Sequence, residues 1–206
     1  MKNSVTLILL SVVLFTYCSS SPPIQKYILT PTVEMHNETP SGKEDTKITI
    51  GIGSIEFSQY LLRPEMVSFK GSNELNVDEF NRWAEPLNEN FERVLIENLS
   101  RLIPTDRIYI FPWQEEEPNS FQISIVVNEF GMRSDSSVVL DARWNVSKGI
   151  KRDFLMTQKS FYTDNSSGVS IEGTVTLLSN LVGNFSRDIA NEIRKQTDGS
   201  YDAAGE

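Results

Sequence analysis

The only cysteine of the chain, Cys18, lies directly behind an apolar run from Val5 to Phe15. With no second cysteine there is no intrachain disulfide, so whatever this sequence folds into must be held by packing alone. The run itself, 11 residues after a basic Lys2, reads as a secretory leader. It is too short for a bilayer span, which needs about 20 apolar residues. A cysteine at the end of such a leader can become the first residue of the mature chain and carry acyl groups. Each buried methylene contributes roughly 0.8 kcal/mol, so two or more chains hold a protein durably on a membrane. The plain alternative is an unpaired cysteine in a discarded leader. Tyr17 stands where bacterial lipoprotein signals usually place a small residue.

Removing residues 1–17 leaves 189 residues, enough for one domain with its own core. The formal charge of −9, with no clustered basic face to offset it, argues against a nucleic-acid partner. Five Asn-x-Ser/Thr sequons, at Asn37, Asn98, Asn145, Asn165 and Asn184, read as background behind a leader of bacterial type.

Residues Ser19 to Pro23 are small or proline and suit a tether. A first short strand is expected over Gln25–Thr30, followed by a polar loop to Thr46 that holds the lone His36. Ile48, Ile50 and Ile52 alternate with Thr49 and Gly51 as a period-two strand. Gly51 and Gly53 relieve bulk in that strand; no helix start or Lys-Ser/Thr pair follows to make a phosphate loop. Glu65–Lys70 is a further strand ending at the Gly71-Ser72-Asn73 turn. Asp78–Glu85 reads as a separate helical turn.

Leu87, Phe91, Val94, Leu95, Leu99 and Leu102 recur at three- and four-residue spacing, which predicts a helix from about Pro86 to Ile103. Pro86 suits its first turn, and Pro104 ends it. Arg107–Phe111 is a strand leading to the acidic loop Glu115-Glu116-Glu117. A three-strand meander follows: Phe121 to Val127, Val138 to Val146, and about Asp153 to Tyr162. Val175, Leu178, Leu181, Val182, Phe185, Ile189 and Ile193 then predict a closing helix over about Ile171–Lys195. The expectation is a single α+β domain, with a mixed or antiparallel sheet, a three-strand meander and two long helices packed on one face. It spans residues 27–196, after a leader (1–17) and a tether (18–26), and before a frayed tail (197–206).

No catalytic set emerges. One isolated histidine and one leader-junction cysteine assemble no Cys–His, Ser–His–Asp or zinc arrangement, and the carboxylates fall on predicted loops and polar helix faces. Neither a metal site nor a cofactor motif is read from the sequence, and a non-enzyme is expected.

Three segments, in order, carry a resemblance: Tyr60-Leu61-Leu62-Arg63-Pro64 with Val67; Phe80-Asn81-Arg82-Trp83-Ala84-Glu85-Pro86-Leu87 leading into Val94-Leu95 and Asn98-Leu99; and Phe111-Pro112-Trp113. With the closing Ser186-Arg187-Asp188-Ile189-Ala190 they resemble the ABC-type transport auxiliary lipoproteins, the PqiC-like family, from about Tyr27 to Ile193. The resemblance implies a non-catalytic envelope lipoprotein, acylated at Cys18. It would work beside an inner-membrane transporter and an MCE-type (mammalian-cell-entry) periplasmic protein in moving lipids or other hydrophobic compounds between membranes. It would dock the periplasmic conduit at the outer membrane, and Ser19 after Cys18 favours that sorting by analogy.

Tyr60, Arg63, Pro64, Trp83, Glu85, Pro86 and Trp113 are the interface candidates. Glu85 is expected to pair with Arg63 and lock the Tyr60–Pro64 loop against the helix corner. Equally, Trp83 is a core anchor and both charges are solvated. Trp113 is either core or docking surface. Two functions follow: a docking subunit that co-purifies with an MCE-type partner as a homo-oligomer, or a stand-alone lipoprotein that binds a hydrophobic ligand between sheet and helices.

Overall fold

The computed structural model describes residues 22–34, 48–103, 105, 107–110, 120–149 and 153–202, with backbone alone at 153–154 and 198–202. Cys18, His36, the Glu115–Glu117 loop and Trp113 lie outside the described residues. Eight strands form one mixed sheet: β1 (Gln25–Tyr27), β2 (Thr49–Phe57), β3 (Glu65–Lys70), β4 (Glu74–Trp83), β5 (Ile108–Ile110), β6 (Ser120–Met132), β7 (Ser137–Lys148) and β8 (Asp153–Asn165). Two helices, α1 (Leu87–Leu102) and α2 (Ile171–Asp202), pack on it. The expected α+β architecture is present.

The long strand β6 organises the sheet. One edge pairs antiparallel with β7 along its length, and β7 pairs with β8 to complete the meander. The other edge is shared. Its first half pairs parallel with β2, from Thr49↔Ser120 to Phe57↔Val127, while Met132 at its end meets Ser68 of β3. The chain leaves that edge at Ser58, makes a short 3-10 turn over Gln59–Leu61, and returns to it as β3. β3 and β4 then form a hairpin that β1 extends, so β1 and β5 are opposite ends of the path β1-β4-β3-β6-β2-β5.

Period-two alternation puts Phe121, Ile123, Ile125 and Val127 of β6 on the buried face with Leu140, Ala142, Trp144 and Val146 of β7. The helices close over that face. Phe91 of α1 stands edge-on to Phe57 and Phe130, at 5.4 and 5.8 Å between ring centroids. Phe185 of α2 meets Phe91, Trp144 and Tyr162 at 6.0–6.3 Å. Edge contacts of this kind add to the area term of burial.

Three expectations are corrected. Asp78–Glu85 is not a helical turn, because Glu74–Trp83 is strand. The Asp78 carboxylate accepts from the backbone N–H of Phe80 and Asn81, both at 3.0 Å, and from Asn81 Nδ2 at 2.7 Å. That local knot makes a bulge in the β3–β4 register and gives the sequence its turn-like look. The first strand stops at Tyr27 rather than Thr30. Beyond it residues 28–34 run extended over the helices, held by side chains instead of a ladder: Asn90 bonds Leu29 N–H (2.7 Å) and C=O (3.3 Å). Asn98 Oδ1 accepts from Thr32 and Val33 N–H at 3.3 Å each, and Ser179 Oγ accepts from Thr30 N–H at 3.2 Å. Thirdly, α2 continues to Asp202, past the expected fraying point at Thr197. Pro86 is the residue before α1 rather than its first, with its carbonyl accepting from Asn90 N–H at 3.0 Å.

Candidate functional site

The motif residues converge where the β3–β4 hairpin, β1 and the start of α1 meet. Backbone bonds set this corner: Trp83 N–H donates to Pro64 C=O and Ala84 N–H to Tyr27 C=O, both at 2.8 Å. Trp83 is buried at 8% exposure and stacks on Phe130, 6.5 Å and 29° apart. Its indole thus ties the corner to β6, as the core-anchor reading holds. Arg63, Pro64, Trp83, Glu85 and Pro86 line one groove of about 360 Å³ with Lys26, Leu62 and Arg82. Five of the seven interface candidates are therefore neighbours.

The Arg63–Glu85 pair is absent. Arg63 Nε donates to Glu65 Oε2 at 3.1 Å, and Arg82 Nη2 reaches Glu65 Oε1 at 3.4 Å. Glu85 pairs instead with Arg93, two turns along α1. The reason is reach: Glu65 opens β3 two residues from Arg63 and directly opposite Arg82. The hydrogen bond from Arg63 holds the Glu65 carboxyl below its usual range, with the two guanidinium charges adding to it. Arg82 Nε, shielded from solvent, has no acceptor among the described residues.

Tyr60 stands apart from the groove. Its hydroxyl donates to Asn128 C=O at 3.1 Å and its ring meets Phe69 edge-on at 5.7 Å. Burial, reinforced by the nearby Glu129 charge, pushes its hydroxyl up to about 12. It fastens the 3-10 turn to β6 beside Ser58, whose Oγ donates to the same carbonyl at 2.8 Å.

Two other hollows border the hairpin. On the outer side an open depression of about 510 Å³ is lined by Pro22, Ile24, Val77, Phe80 and the charged Arg63, Glu65, Glu79 and Arg82. On the inner side a cleft of about 60 Å³ lies between Met66, Asp78, Trp83 and Phe130 and the first turns of α2 at Ile171, Val175 and Leu178. No helix among the described residues is long and apolar enough to cross a membrane.

Sequence reasoning missed the burial of Asn90 and Asn98, both fully enclosed in α1. The apolar stripe was legible, whereas a polar residue beside it reads as surface until a partner chain segment is placed over it. The burial of Asn98 also closes that sequon in the folded protein.

The sequence model for the ABC-type transport auxiliary lipoprotein component matches residues 27–190. The chain belongs to that family. The match covers the hairpin corner, both helices to Ala190 and the whole sheet except the first two residues of β1, close to the span the motif resemblance marks out. Among solved structures, the crystal structure of an uncharacterized protein is similar over 84% of this chain and 99% of its own, at 17% identity and a TM-score of 0.68. Protein XCC0632 from Xanthomonas campestris, of the DUF330 family, is similar over the same shares at 12% identity and a TM-score of 0.67. At these identities the likeness is one of fold. No curated protein matches the sequence. As a family member the protein is an auxiliary lipoprotein component of ABC-type transport.

Proposed function

We propose that this lipoprotein is a non-catalytic subunit of an ABC/MCE-type system for intermembrane transport of lipids or other hydrophobic compounds. In this reading it is acylated at Cys18, held at the periplasmic face of the outer membrane, and docks the periplasmic conduit there as a homo-oligomer. The observation that carries the reading is family membership across residues 27–190. The narrow cleft between the hairpin and α2 favours docking over storage of a ligand there. The space between hairpin and α2 is about 60 Å³, whereas pockets that enclose a small organic ligand run to about 300–1,000 Å³. The larger hollows are open surface grooves. The one lined by Arg63, Pro64, Glu85 and Pro86 is the contact surface this reading puts forward.

The test is a mild-detergent pull-down of the full-length protein from envelopes, with proteins and lipids identified by mass spectrometry. Recovery of an MCE-type protein with its inner-membrane transporter is the expected result, and it should weaken with Leu62→Asp in the groove. Stoichiometric lipid without protein partners would overturn the docking role in favour of a stand-alone lipid binder.

A further inference from the structure

The outer side of the hairpin gathers exposed apolar side chains at one depression. Ile24 is 49% exposed and Phe80 39%, and they line one open depression with Pro22 and Val77. The depression also holds Arg63, Arg82, Glu65 and Glu79, and both arginines pair with Glu65, so its charges balance and its apolar side chains stand grouped among them. Apolar groups gathered in this way enter the headgroup boundary while neighbouring charged groups stay in water. Single exposed apolar residues need no explanation, but grouped ones do.

Chain length says what covers this surface. Pro22, in the wall of the depression, is four residues from Cys18. A fully extended chain spans at most about 3.6 Å per residue, so Pro22 lies no more than about 14 Å from that residue. Acyl groups on Cys18 must sit in hydrocarbon, and the headgroup layer above it is itself about 5–7 Å thick. The depression is therefore the part of the domain that a membrane anchor draws nearest to lipid. We propose that the β1–β4 outer surface, through Ile24, Phe80 and Val77, rests in the headgroup layer of the membrane that holds the anchor. This fixes the orientation of the domain on the membrane, with β5 directed away. The inference rests on the acylation of Cys18 put forward above.

The test uses the full-length lipidated protein in vesicles of phosphatidylethanolamine and phosphatidylglycerol. Acylated Cys18 leaves no other thiol, so Ile24→Cys, Phe80→Cys and, as the distal control on β5, Ile110→Cys each take one nitroxide label cleanly. Flotation with the vesicles checks the anchor, and power saturation against oxygen and a water-soluble nickel chelate reads depth. The expected result is a several-fold lower nickel accessibility, with raised oxygen accessibility, for labels at positions 24 and 80 relative to 110. Labels at 24 and 80 as open to nickel as that at 110, in protein that floats, overturn the proposal while leaving the anchor intact. Labels shielded from both reagents mark burial against a second copy or a protein partner, and also overturn it. Protein that fails to float overturns the anchoring reading and this proposal together.

Discussion

Phe185 has no exposed surface, and its ring touches rings from α1, β7 and β8. Truncating it removes both the transferred area and the edge contacts. Phe185→Ala should therefore lower stability by about 3–5 kcal/mol, read as a shift of the urea midpoint at unchanged slope. Tyr60 offers a pH signature. Its hydroxyl is raised from the usual 10 to about 12 by burial first and by Glu129 next. The folded chain thus keeps a proton that the unfolded chain releases near pH 10. Its contribution is whole below pH 10 and is lost as pH rises from 10 towards 12. Phenolate absorbance should show tyrosines titrating above the usual 10, since burial also raises Tyr162, and Tyr60→Phe should remove one of them from that high-pH rise. Asn90 and Asn98 show what escapes at this scale: an amide has the same composition signature on a wet face and beneath a chain segment, and only its partners distinguish the two.

Elements differed in how well they could be read. The helices α1 and α2 rest on stripes repeating at three and four residues, and their apolar faces are the buried ones, from Leu87 to Leu99 and from Val175 to Ile193. The meander likewise follows from alternation along most of β6 and β7. The hairpin strand β4 did not, since Asp78 and Asn81 satisfy backbone groups locally and disguise a bulge as a helical turn. The contact between α2 and the N-terminal segment is a second case. A Cβ on Gly183 would sit 2.4 Å from Thr32 Oγ1, so the glycine permits that close approach. Gly183→Ala should cost about 1–3 kcal/mol by overpacking, and Gly183→Ala with Thr32→Ala should lose less than the sum of the two single changes. Arg63 and Glu85 each have a different partner, Glu65 and Arg93. Their alanine substitutions should therefore add in thermal or urea denaturation, with a coupling within about 0.5 kcal/mol of zero.

At the scale of the whole molecule, stability is carried by one core built from β2, β6, β7, both helices, Trp83 and Leu29, with Leu155, Met156 and Tyr162 of β8 packed against it. The single cysteine has no partner within the chain, so the melting temperature of the monomeric domain should be the same with and without reductant. A reductant-sensitive melt would point to a covalent cross-link between chains. The sequence by itself determined the class of the fold, the two helical stripes, the meander and the family. Each of these is written in residues close along the chain, through periodicity or a run of motif positions. The tertiary structure decided the split edge of β6, the partners of Arg63 and Glu85, the segment laid over the helices and the gathering of Ile24, Phe80 and Val77 at one depression. Those depend on which distant elements come into contact, and local periodicity carries no information about contact across the chain.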